Sequence, residues 1–232
     1  AQQFFYISNL SEWHFSCQPE YNKLWIRTTG NLTIKEMSIL RRLNSMLRKY
    51  DFDDKYLGKP FIDFPEKKIW VNVSRLVNRN EFVILKNTFK IFNNKFNQLW
   101  KKDRIRLKDI SKELIKNLNS VKTKKAIKAL EIIFGQSIKN FTAHIFAIPK
   151  NSQTTAGGAN TKKWTITLEL RSDKDAQEGV LIALHEITHQ IFKNLKLNLK
   201  VRNKKIRNLL LKIPSFKEQG ISSAWKELIL CS

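Results

Sequence analysis

The hydrophobic period of this 232-residue chain changes twice, and that limits its possible folds more than any other feature. Up to about residue 134, apolar residues recur three or four apart, the spacing of one helix face. "TIKEMSILRRLNSMLRKY" puts Met37, Leu40, Leu43 and Leu47 on such a face, behind Thr33 and Glu36 spaced as a capping box. "NEFVILKNTFKIFNNKFNQLW" repeats the pattern with Phe82, Leu85, Phe89, Phe92, Phe96 and Leu99, a stripe that reads as packing surface. "VKTKKAIKALEIIF" is a third helix, stopped by Gly135, a residue suited to the left-handed conformation past a helix end. Between the first two, "KPFIDFPEKKIWVNV" carries two prolines and reads as loop with short extended pieces.

The period then shortens to two. "FTAHIFAIP" is rich in β-formers. "KWTITLEL" alternates, with Trp164, Ile166, Leu168 and Leu170 on one face and Thr165, Thr167 and Glu169 on the other. "NSQTTAGGANT" between them reads as the loop of a hairpin. Helical spacing returns in "EGVLIALHEITHQIFKNL", and "VRNKKIRNLLLKI" and "SSAWKELIL" are two further helical segments. Helices, then a hairpin, then helices predict an α+β chain. A mainly helical region over 1–120 is expected to pack on a second region over 121–232. No linker rich in Gly, Pro or Ser separates them, so one continuous domain is equally compatible.

Composition narrows the function classes. With 42% hydrophobic residues, fifteen Phe and six Trp, the chain is not of the disordered type. No run approaches the roughly 18 apolar residues of a membrane-spanning helix, so a soluble protein is expected. The net charge of +23 is spread along the chain from Lys23 to Lys226. It will attract polyanions non-specifically, without the aromatic and basic signatures of known nucleic-acid modules. Both ends, "AQQFF" and "ELILCS", read as cut, and oligomeric state leaves no mark in the sequence.

Two of the four histidines stand in "HEITH". Four residues apart on a helix, His185 and His189 share a face and can hold one Zn²⁺ at about 2.0–2.1 Å each. Glu186 is placed to take a proton from a metal-bound water rather than to ligate. Val180, Leu184, Ile187 and Ile191 would bury the helix on one side, with the histidines at the rim. The alternative is a pair of ordinary core histidines, the reading that His14 and His144 receive.

The motif H185-E-I-T-H189, preceded by "KWTITLEL", resembles the zincin metallopeptidases over roughly residues 139 to 230. The resemblance implies a small sheet with an active-site helix, one zinc per chain and hydrolysis of peptide bonds. It also implies a sheet edge along which substrate adds as an antiparallel strand. Backbone around Gly157, Gly158, Ala159 and Lys163–Leu168, with Trp164, would form that edge.

The metzincin continuation is absent, and after Glu186 the only acidic residues are Glu218 and Glu227. A glutamate on a later helix is the gluzincin pattern. Glu227, on the amphipathic "SSAWKELIL", is the favoured third ligand because a packed helix holds a ligand rigidly. Glu218 in "PSFKEQG", Glu178 and Glu169 stay open. Gluzincins also use a Tyr or His beyond the motif as oxyanion donor. Here Tyr6, Tyr21, Tyr50 and Tyr56 all precede it, so the N-terminal region would have to cover the cleft, or Arg202 or Arg207 serve instead. The expectation is a zinc-dependent metallopeptidase acting on peptide or protein substrates. The alternatives are an inactive binding protein on a zincin fold and a polyanion-binding basic protein.

Overall fold

One helix organises the molecule. In the computed structural model, α6 (Arg79–Leu118) runs unbroken for 40 residues, about 60 Å at 1.5 Å per residue. The structure describes residues 1–50, 57–135, 137–138, 140–153, 158–162 and 164–194, with backbone alone at 158–162 and 192–194. Leu85 and Phe92 bury the first half of α6 in one hydrophobic cluster, and Ile110 and Leu114 bury the second half in another. The sequence pattern ends this helix near Trp100. It continues because the inward face passes over a paired polar step: Arg106 donates to Asp103 at 2.7 Å and also to the Arg171 carbonyl. The helix starts with a capping box: Glu81 N–H donates to the Asn78 side chain at 3.0 Å, and Asn78 N–H donates back to Glu81 at 3.1 Å.

Around its first half pack α1 (Gln2–Leu10), α2 (Pro19–Thr29), α3 (Ile34–Leu47), α4 (Lys59–Asp63) and α5 (Glu66–Leu76). The α3 cap is the expected one, with Glu36 N–H donating to Thr33 Oγ1 at 3.2 Å and Thr33 N–H to Glu36 at 2.7 Å. The segment "KPFIDFPEKKIWVNV" is helical, not a loop: it forms α4 and α5. Its prolines fall where a helix tolerates them, Pro60 in the first turn of α4 and Pro65 as the cap of α5. Ile69 and Val73, four apart, then bury one face.

After α7 (Val121–Phe134), Gly135 takes the left-handed conformation at φ 63°, as expected. A three-stranded sheet follows, ordered β1 (Thr142–Ala147), β3 (Thr165–Leu170), β2 (Gly158–Lys162). The fold is therefore α+β, mostly helical with a small mixed sheet. Two expectations are corrected. "FTAHIFAIP" and "KWTITLEL" are not the arms of a hairpin; they pair in parallel, Thr142 opposite Thr165 through Ala147 opposite Leu170. The hairpin partner of β3 is β2, drawn from the segment read as loop. Parallel neighbours need a long crossover, and residues 148–164 supply it while adding β2 on the far edge.

Being central, β3 is covered on both faces. Ile166, Leu168 and Leu170 are fully buried with Ile110, Val180 and Leu184. On the other face Thr167 is buried, and Tyr21 of α2 donates its hydroxyl to Glu169 at 3.1 Å. Trp164 does not continue the inner face, because it sits in the β2–β3 turn at φ 60°. A tight hairpin turn demands positive φ, and Trp accepts it there at some cost in strain.

The Glu169 carboxyl is pushed up to about 7 by burial, against the opposing hydrogen bond from Tyr21. An unfolded glutamate titrates near ~4.3, so the folded state binds this proton more tightly. Its stabilising contribution is therefore complete below about pH 4.3 and is lost as pH rises towards 7. Glu169→Gln is expected to change little at pH 4 and to raise stability by about 1–3 kcal/mol at pH 8. Urea unfolding at the two pH values measures the difference; an equal effect at both would show that the carboxyl is solvated.

Candidate metal centre

The chain leaves β3 through Arg171, whose guanidinium and backbone N–H both bond to Asp175 in the 3₁₀ turn Asp173–Asp175. This clamp turns the chain directly into α8 (Ala176–Asn194). Asp175 is held below the usual carboxylate range: hydrogen bonds from Arg171 and Ser172 outweigh its partial burial. Helix α8 then settles very close to the sheet. A Cβ on Gly179 would lie 3.1 Å from Leu170 Cδ1 and 3.3 Å from Leu114 Cδ1, so a glycine here lets the helix approach both β3 and α6. Gly179 was missed from the sequence, although an isolated Gly in a helical pattern points to such a close contact.

From Gly179 the helix runs back along the sheet. His185 and His189 stand six and ten residues further, about 9 and 15 Å along the axis of a helix that packs on both β3 and β2. Val180, Leu184, Ile187 and Ile191 are buried as the pattern requires. His185 is half-buried and His189 exposed, the rim position expected for them. Their Nε2 atoms are 2.9 Å apart, with the rings edge-on at 84°. At that distance one ring must donate to the other, which requires at least one neutral imidazole. Partial desolvation lowers the His189 pKa even though the residue as a whole is exposed, favouring its neutral form.

Glu186 lies only 8% exposed beside this pair. Burial pushes its carboxyl up to about 7. One ligand atom from each of His185, Glu186 and His189 fits within 4.8 Å, and this is the group of metal-binding type among the described residues. The donor set suits zinc. Two nitrogens on one tetrahedral zinc at ~2.0–2.1 Å stand roughly 3.3 Å apart, so the pair needs to open by only a few tenths of an ångström. A cation there would also relieve the desolvated Glu186.

The other expected residues divide. Glu227 and Glu218 lie outside the described residues, as do Gly157, Tyr56, Arg202 and Arg207. Glu169 is removed from the ligand candidates, because it faces Tyr21 on the side of the sheet opposite α8. Glu178 is exposed in the first turn of α8, about 10 Å along the helix from His185. Gly158 and Ala159 are in β2, opposite Leu168 and Thr167, and Trp164 is in the adjoining turn. "KWTITLEL" is not a sheet edge, since β1 and β2 occupy both its sides; β2 is the edge strand next to α8, and α4 also reaches it.

The described tyrosines are engaged elsewhere. Tyr6 is buried among Trp25, Phe92 and Phe96, Tyr21 bonds Glu169, and Tyr50 donates to Glu81 at 2.7 Å. His14 bonds Ser16 between α1 and α2, and His144 sits on β1, so neither joins the HEITH group. Comparison of the chain with protein-family models, with curated proteins and with solved structures found no match.

Proposed function

We propose that the chain is a zinc-dependent hydrolase of peptide bonds, with His185 and His189 as metal ligands, Glu186 as general base and Glu227 as third protein ligand. The observation that carries this reading is the pair of imidazole nitrogens 2.9 Å apart beside a buried carboxylate. When bound, zinc supplies Lewis acidity that brings a water's pKa to about 7. The chain's own part is to hold the two imidazoles side by side on one face of α8, with their Nε2 atoms turned towards each other, and to hold Glu186 in a dry position where a carboxylate is a stronger base. The outer side of β2 is the surface on which an extended peptide could add as a strand beside α8.

Elemental analysis of the purified chain tests the metal. About one zinc per chain is expected in the wild type. It should be lost in His185→Ala and His189→Ala, lost in Glu227→Ala, and kept in Glu218→Ala. A wild type that takes up no zinc after zinc is added would end the proposal.

A further inference from the structure

The second half of α6 presents a basic stripe to solvent. At 100° per residue, Lys101, Arg104, Lys108, Lys112 and Lys116 fall within roughly 120° of arc over about 22 Å of helix. All are exposed, and they lie opposite Ile110 and Leu114, which bury this half of the helix. Among the described residues of α6, no carboxylate falls inside the arc: Asp103 is on the inward side with Arg106, and Asp109 and Glu113 lie beyond the margin. Among the described residues, Lys116 alone of the row reaches one, Glu113 at 3.0 Å.

Two isoleucines interrupt the charges. Ile105 and Ile115 fall inside the same arc and are 62% and 59% exposed. A solvated helix face has no use for them. Beside them Trp100, Leu107 and Ile115 line a shallow groove of about 570 Å³, with Arg104, Lys108 and Lys112 along it.

We propose that this face of α6 is a docking surface for an anionic lipid bilayer. Cations and large apolar side chains on one helix face are what an interfacial helix presents to lipid. The basic groups meet headgroup phosphates and carboxylates while their stems and the isoleucines enter the acyl boundary. A nucleic-acid backbone would use the cations and leave Ile105 and Ile115 in water, gaining nothing from them. Docking is peripheral: no helix among the described residues is long and apolar enough to cross a membrane. The opposite side of α6 packs on α8, so the bilayer would lie across the helix from the HEITH group.

The test is co-sedimentation of the full chain with phosphatidylcholine vesicles containing about a third phosphatidylserine. At about fivefold per cation, the triple variant Arg104→Gln, Lys108→Gln, Lys112→Gln should bind about 100-fold more weakly. A control with the same charge loss elsewhere, Lys35→Gln, Lys67→Gln, Lys68→Gln, should lose less than tenfold. Ile105→Ser with Ile115→Ser, which leaves charge unchanged, should lose at least about tenfold on vesicles and nothing on duplex DNA. Equal losses in the two triple variants would overturn the proposal, because net charge alone would then govern binding. Vesicle binding indifferent to the isoleucines, with tighter binding to duplex DNA in the same salt, would overturn it in favour of nucleic acid.

Discussion

Glu186→Gln is expected to leave zinc content unchanged and to lower peptide hydrolysis by about 10²–10⁴-fold. The substitution keeps the size and the burial of the side chain but removes its ability to accept a proton. Glu186 follows His185 directly, lies in the dry margin of the helix and belongs to the cluster spanning 4.8 Å. A residue that only filled space there would tolerate an isosteric amide, which needs no desolvated charge. Cleavage of a peptide library, with zinc measured on the same samples, separates the roles. Activity lost together with zinc would make Glu186 a ligand. Full activity in the variant would remove it from the chemistry and leave His185 and His189 as a metal site of another kind.

Leu168→Ala is expected to cost about 2–5 kcal/mol of stability, the range for emptying a fully buried leucine site. Leu168 has no exposed surface and stands in the middle of the central strand, bracketed by Ile145 of β1 and Gly158 of β2. Its side chain belongs to the cluster in which α6 and α8 meet the sheet. Backbone hydrogen bonds on both sides pin β3, so the strand cannot move to fill the space, and the loss should fall in the upper part of the range. Against a usual total of about 5–15 kcal/mol, that is a large fraction. Urea unfolding would show a lower midpoint at unchanged slope. A loss below about 1 kcal/mol would mean that the cluster collapses around the gap.

Some features were legible because they depend on neighbours in sequence. The capping box at Thr33 and Glu36 closes within one turn, and Gly135 ends α7 by its own freedom at φ 63°. The apolar stripe of α8 and the placing of His185 and His189 on its rim follow from the helical period alone. The Pro-containing α4 and α5 were hidden by the general rule that proline breaks helices, although both prolines stand at starts, where they fit. The length of α6 was hidden by Asp103 and Arg106, polar residues on an inward face that bond one another in the gap between two cores.

The helical N-terminal region, the alternation of β3 and the spacing of two histidines with an adjacent carboxylate could be read from neighbouring residues, because each is written in a period or a local hydrogen bond. That β3 is central and parallel to β1, that its polar face is covered by Tyr21, and that β2 rather than β3 is the edge beside α8 came from long-range packing. Alternation reports that a strand has two unlike faces, but not which strand lies beside it. Pairing is settled by contacts between residues distant in sequence, and no single segment records them.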